Sequence, residues 1–221
     1  LMLSSVGDDK VGAVGAANTY LSVFTISFSV ISTGVMAVMT QYIGAGKNGV
    51  ARQAKNIGII FNGIVGGVLS VLLLIWAGPV LKVLGTADSL LIHATTYMRI
   101  VGGTSILTAL TPIFTSYLRA FGYTKEPLIA NVTANVLNII LNSIFLFVFD
   151  YGVAGVAMAT AISRGVGLVF AIVMCIRKIK IPKEAEKISN GIVCKNILQV
   201  GVPSALESAL YNVAMAIIMK F

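Results

Sequence analysis

Five stretches of this chain are long and apolar enough to cross a lipid bilayer, and no other feature limits its fold as strongly. They run at about 17–43, 56–80, 92–118, 127–149 and 153–176, and a sixth starts near 197. A hydrocarbon core ~30 Å thick is spanned by about 20 helical residues. Inside it, each backbone N–H and C=O must be bonded within its own segment or within a closed barrel. Runs of this length favour the helical solution, so the expected fold is all-α, a polytopic transmembrane helix bundle. Charged residues make up 11% of the chain, against about a quarter in an ordinary soluble domain.

The breaks between stretches carry loop chemistry: Gly44–Gly49, Gly78-Pro79, Gly122–Pro127 and Asp150-Tyr151-Gly152. The stretch 177–195, with six basic and two acidic residues, reads as the one solvated linker. Loop charge alternates along the chain. Lys47, Arg52 and Lys55 mark the second loop, Arg119, Lys125 and Glu126 the fourth, and the basic linker the sixth. The intervening loops hold Asp8, Asp9 and Lys10, then Lys82 and Asp88, then Asp150. The positive-inside rule therefore places the loops near 47–55, 119–126 and 177–195 in the cytoplasm of a cell or inner membrane. The net charge of +8 is explained by that asymmetry, and no nucleic-acid partner is implied. The opening LMLSSVGDDK and the closing AMAIIMKF both read as parts of spans, so the chain is expected to be a piece of a longer protein.

Three stretches carry polar stripes. Asn131, Asn135, Asn138 and Asn142 are spaced 4, 3, 4 and fall within roughly 60° of helical arc. Asn18, Ser22, Thr25, Ser29 and Ser32 repeat the pattern in the first stretch, and Thr104, Thr108, Thr111 and Thr115 in the third, where Pro112 allows a bend. Such stripes either glue helices together by hydrogen bonds or line a wet cavity. Four amides on one helix favour the cavity, because a dry bundle has few partners for so many donors and acceptors.

Arg99, Arg164 and Glu207 are the ionisable residues most apt to reach into the membrane, and such residues are functional candidates. Gly155, Ala159, Ser163 and Gly167 form a small-residue ridge for close helix packing, and Gly63 with Gly67 reads as a similar site. No catalytic residue, metal-ligand cluster or phosphate-binding loop is found: the glycines at 44–46 lack the following lysine–hydroxyl pair and a preceding strand. No cofactor is expected.

Several segments, in order, resemble the multidrug and toxic compound extrusion (MATE) transporters. Gln41-Tyr42-Ile43-Gly44-Ala45-Gly46 followed by Ala51 resembles the end of that family's second span. Arg119–Pro127 resembles its loop between spans four and five. Asn138–Asn142 and Gly152–Thr160 resemble spans five and six, and Gly201-Val202-Pro203-Ser204 resembles the start of span seven. The resemblance implies one six-helix lobe of a twelve-span transporter with pseudo-twofold symmetry. Residues 1–176 would be the end of span one and spans two to six, 177–196 a cytoplasmic linker, and 197–221 the start of span seven, with the C-terminal lobe outside this chain. It also implies antiport: small amphipathic organic cations or drugs move out as Na+ or H+ moves in.

One branch of the family holds its cation in this lobe with an aspartate on span one, an asparagine and an aspartate on span five, and a threonine on span six. Asn138 and Thr160 match. Asn142 stands where the second aspartate would be. It can offer sodium an oxygen but cannot take up a proton. Glu207 lies on the span that carries another branch's glutamate, about one turn early. The resemblance thus makes Asn138, Asn142, Thr160 and Glu207 ion-binding candidates. Asn18, Ser22, Thr25, Ser29, Asn131, Asn135, Thr108, Thr111 and Arg164 remain as cavity- or substrate-lining candidates. Two alternatives stay open: a lipid-linked oligosaccharide flippase of related fold, which would need several cavity cations to hold pyrophosphate, and a non-transporting membrane scaffold.

Overall fold

The apolar stretches become helices: α1 (Asp8–Gly44), α2 (Asn48–Val83), α3 (Asp88–Tyr97), α4 (Ser105–Ala120), α5 (Lys125–Ser143), α6 (Gly152–Lys178) and α7 (Asn190–Ile218). The computed structural model describes residues 8–182, 186 and 188–218, and among these the regular structure is entirely helical. The extreme ends, read from sequence as cut spans, and the linker's Lys183, Glu184 and Lys187 lie outside the described residues. Four helices are long and apolar enough to cross a membrane, and α3 with α4 makes a fifth if the bent pair is one span. The sixth stretch belongs to α7, which starts seven residues before the expected 197 and is not among the helices that meet this criterion.

Several boundaries differ from the sequence expectation for physical reasons. The residues read as a first loop begin α1 instead. At 37 and 36 residues, α1 and α2 are ~55 Å long, against a hydrocarbon core of ~30 Å. Their charged first turns (Lys10, then Arg52 and Lys55) therefore have room to lie at the membrane surface. Pro79 does not end its helix. α2 runs on to Val83 with its irregularity at Trp76 (φ −112°, ψ 19°), three residues upstream, where the proline ring crowds the preceding turn.

The bend in the third span is also displaced. It does not fall at Pro112, which sits inside α4. A π-helical turn at Met98–Gly102 follows α3, and the chain turns by 43° before α4. Such a break frees backbone groups inside the membrane, and side chains recapture them. Thr104 Oγ1 donates to the carbonyls of Ile100 and Val101 at 3.0 Å. Ser70 Oγ, on α2, accepts the Ile106 N–H at 3.1 Å while donating to Gly66 O at 2.8 Å.

Small residues set the packing. The ridge on α6 is buried as expected: Gly167 faces Ala134 of α5, and Gly155 faces Phe145 in the π-helical turn Ile144–Val148 that follows it. The reading of Gly63 and Gly67 is corrected. The buried face of α2 runs through Gly58, Asn62, Gly66 and Ser70. A Cβ on Gly66 would lie 2.6 Å from Ala109 Cβ, whereas one on Gly67 would meet nothing within 4 Å. Both faces repeat every fourth residue, and only tertiary contact selects between adjacent registers.

Asn62, not singled out from sequence, is 0% exposed. Its amide donates to Ala109 O (2.8 Å), Ser32 Oγ (3.1 Å) and Phe28 O (3.3 Å), tying α1, α2 and α4 together. Interhelical hydrogen bonds in membranes average ~0.6 kcal/mol each. Leucine also removes Asn62 Oδ1, which is buried with no partner among the described residues, so Asn62→Leu, nearly isosteric, should cost no more than about 1 kcal/mol. A thermal-unfolding midpoint unchanged from wild type would show that this amide does not hold the helices together.

The three basic segments meet at one end of the bundle. Lys47 pairs with Glu186 at 2.9 Å, Arg52 donates to Ile181 O at 3.1 Å, and Gln53 bonds Ile188 O at 2.7 Å. Lys178 lies 3.6 Å from Glu126, and Tyr123 Oη donates to Lys178 O. At the other end Tyr20 Oη donates to Leu84 O at 2.8 Å, and Lys10 approaches Gly152. Helix order thus separates the basic and basic-poor loops, as alternating charge predicts.

Candidate functional site

The three polar stripes face one another across adjoining spaces. Asn18, Ser22 and Thr25 of α1, with Ser105 and Thr108 of the α4 segment and Arg164 of α6, line a cavity of about 280 Å³. Thr108, Thr111 and Thr115 of α4 face Asn131 and Asn135 of α5 across about 370 Å³, again with Arg164 in the wall. Asn135 and Asn138 face Thr160, Ser163 and Arg164 across about 230 Å³. Arg164 borders all three. A larger space of about 580 Å³ lies between the starts of α2 and α7, around Arg52, Gln53 and Asn190. It is at the loop end, where Gln53 is already engaged by Ile188 and Asn190, and the stripes do not reach it.

Hydrogen bonding separates glue from cavity wall. Hydroxyls acting as glue would bond a neighbouring helix. Instead Ser22, Thr25, Thr111, Thr115, Thr160 and Ser163 each donate to a carbonyl three or four residues back on their own helix. Each stays seated while its oxygen lone pairs remain available to the space in front. Pro112 adds a backbone acceptor there, because it has no N–H for the carbonyl of Thr108. Three stripe residues are seen to bridge helices: Asn18 Oδ1 accepts from Tyr97 Oη at 3.1 Å, Ser32 Oγ accepts from Asn62 Nδ2 at 3.1 Å, and Thr108 Oγ1 accepts from Arg164 Nη1 at 3.1 Å.

The asparagine stripe divides in two. Asn131 and Asn135 are exposed to the cavities. Asn138 and Asn142 are half-buried and joined, with Asn142 Nδ2 donating to Asn138 Oδ1 at 3.0 Å. Asn142 itself is in none of the three linings, and its Oδ1 is buried with no hydrogen-bond partner among the described residues. A buried acceptor left unpaired costs about 1–3 kcal/mol, and a water or cation would relieve that cost. Asn138 and Thr160 share a cavity wall.

Other candidates lie apart. Ser29 is outside the linings of these three cavities. Glu207 is exposed on α7, and Arg99 is exposed on the π-helical turn. Neither lines the described cavities. Among the described residues no group of His, Cys, Asp and Glu is placed to hold a metal ion.

A protein-family model described as MatE matches residues 1–144. The chain is 33% identical over its whole length to half of the uncharacterised transporter YisQ of Bacillus subtilis. It is 30% identical to the multidrug export protein MepA of Staphylococcus saprophyticus, over 73% of this chain and 37% of that protein. It is 26% identical to the probable multidrug resistance protein NorM of Thermotoga maritima, over 90% of this chain and 44% of that protein. A crystal structure of MATE in the bent conformation shares the fold, with a TM-score of 0.85 at 24% identity over 97% of this chain and 48% of that one. The chain spans about half the length of these relatives, or less.

Proposed function

The chain belongs to the MatE family, and on that premise we propose that it forms the N-terminal lobe of a secondary antiporter. The antiporter would export amphipathic organic compounds, organic cations among them, in exchange for Na+ or H+. The observation that carries this reading is the set of inward-facing polar stripes whose hydroxyls turn back on their own helices and enclose adjoining cavities. Arg164 apart, these walls supply hydrogen bonds without a fixed bidentate partner, which suits a broad range of cargo. Asn138, Asn142 and Thr160 form the cation contact, with the unpaired Asn142 Oδ1 as its first ligand. Because Asn142 does not titrate, sodium is the ion we assign to it. The basic loop end faces the cytoplasm, and the second lobe completes the path as the lobes rock about the midplane. A scaffold would have no use for the cavities. A flippase would need several cations in them, and Arg99 is not there.

The test uses the full-length protein in inverted vesicles, with a fluorescent organic compound and separate sodium and proton gradients. Wild type should move the compound on a sodium gradient. The double variant Asn138→Ala/Asn142→Ala should lose at least tenfold of that flux while keeping its melting temperature. Flux that survives the double substitution would remove the cation site from this lobe. A folded protein that moves nothing under either gradient would overturn the antiport reading.

A further inference from the structure

Among the described residues Arg164 is the one ionisable side chain in the walls of the three cavities, and it is in all of them. It lies twelve residues from the start of α6 and fourteen from its end, or ~18 and ~21 Å, too deep for its head to reach either membrane surface. Its one hydrogen bond goes to Thr108 Oγ1 at 3.1 Å, so most of its five N–H donors remain available. Among the described residues no carboxylate pairs with it: the ion pairs are Lys47–Glu186 and Lys178–Glu126, both at the loop end. The described acids lie elsewhere: Asp88, Glu126 and Asp150 sit at helix ends, Glu186 pairs with Lys47 at the loop end, and Glu207 is exposed on α7. An uncompensated charge at such depth is costly, and it persists where it meets water or an opposite charge.

We propose that Arg164 docks the anionic group, a carboxylate or a phosphate, of an amphipathic cargo. This rests on the reading of the lobe as one wall of a transport path and narrows the cargo to compounds that carry an acid beside any positive charge. The guanidinium presents a planar fork of donors matched to a carboxylate or phosphate. Thr108 and Asn135, each bordering two of the same spaces, supply the surrounding hydrogen bonds. An organic cation without an acid meets repulsion here.

A matched dye pair tests the assignment: a rhodamine ester, which is a cation, and its free acid, a zwitterion with the same ring system. Fluorescence anisotropy on the purified full-length protein reads binding independently of transport. Wild type should bind the free acid at least tenfold more tightly than the ester. Arg164→Gln should abolish that preference with ester binding retained or improved, and Arg164→Lys should restore part of it. Equal binding of the two dyes by wild type, binding of neither, or an unchanged preference in Arg164→Gln overturns the proposal. So does a parallel loss for both dyes, which marks a structural role. Repeating the measurement in nanodiscs of neutral lipid and of phosphatidylglycerol separates sources of the anion. Displacement of the acid dye by the anionic lipid assigns the site to a lipid headgroup, and retained binding assigns it to a soluble amphiphile; both keep the anion on Arg164. Vesicle flux with either dye reports on the antiport reading separately, so selective binding without flux overturns that reading alone.

Discussion

Gly34→Ala should destabilise the full-length protein by about 1–3 kcal/mol, the usual range for a side chain forced into a filled contact, and Gly34→Leu by more. α1 and α7 cross at Gly34 and Gly201 with their backbones nearly touching. A Cβ on Gly34 would lie 2.3 Å from Ile197 O and 3.1 Å from Gly201 Cα, and one on Gly201 would lie 2.9 Å from Val30 O. The atoms in the way belong to another helix's main chain. They cannot swing aside as a side-chain end would, and relief requires the two helices to separate. The effect should therefore extend beyond stability to the seating of α7 against α1. Gly67→Ala is the control. It lies in the interior of α2 with nothing within 4 Å of the added methyl, and exchanging a helical glycine for alanine there should be neutral or stabilising by up to ~1 kcal/mol. Melting curves of the three variants should rank Gly67→Ala above Gly34→Ala above Gly34→Leu. Equal midpoints for Gly34→Ala and Gly67→Ala would mean that the α1–α7 crossing is not this close.

That contrast marks where the sequence stops being informative. The spans were legible because hydropathy acts over some twenty residues and does not depend on neighbours. Loop charge likewise separated the two ends of the bundle. Register was not legible: Gly63/Gly67 and Gly58/Gly66 show comparable small-residue patterns, and only the neighbouring Ala109 and Ile106 distinguish them. The bend before α4 was misplaced for a related reason. Proline was the visible breaker, but the helix tolerates Pro112, and the turn lies at Gly103–Thr104, where Ser70 from another helix holds the freed N–H. Asn62 could have been found as a lone amide in the apolar run IIFNGIVGG, although its three partners could not. The stripes were legible as faces, and their convergence on Arg164 was not, because no spacing rule states which faces meet. Glu207 stood out as an acid in an apolar run, a signal that says nothing about the direction in which it points.

Asn142→Asp should tighten sodium binding by about ten- to a hundredfold and make it depend on pH. In the native pair, Asn142 Nδ2 donates to Asn138 Oδ1 at 3.0 Å and Asn142 Oδ1 is left buried and unpaired. A carboxylate there offers a cation a full charge where the amide offers a dipole. Desolvation offsets much of that attraction, so a net gain of ~1.5–3 kcal/mol is a fair expectation, at 1.4 kcal/mol per tenfold. The Asn138 amide can turn to present its N–H₂ to the new oxygen, since an amide's two ends are interchangeable in shape. Arg164 works against the gain. It borders the same ~230 Å³ space as Asn138, and like charges about 8 Å apart in an effective dielectric near 20 repel by about 2 kcal/mol. Arg164→Gln should therefore raise sodium affinity by itself, and more so when combined with Asn142→Asp. A carboxyl takes up a proton where an amide cannot, so protons would compete with sodium for it. The added affinity should be present at high pH and lost as the carboxylate is protonated. Wild type should show no such loss from this position, because an amide does not titrate. Sodium-dependent shifts in melting temperature, measured over a series of pH values for wild type, the two single variants and the double variant, read these effects. A wild-type response that already fades as pH falls would place the coupling group at a titrating side chain and remove Asn142 from the role assigned to it.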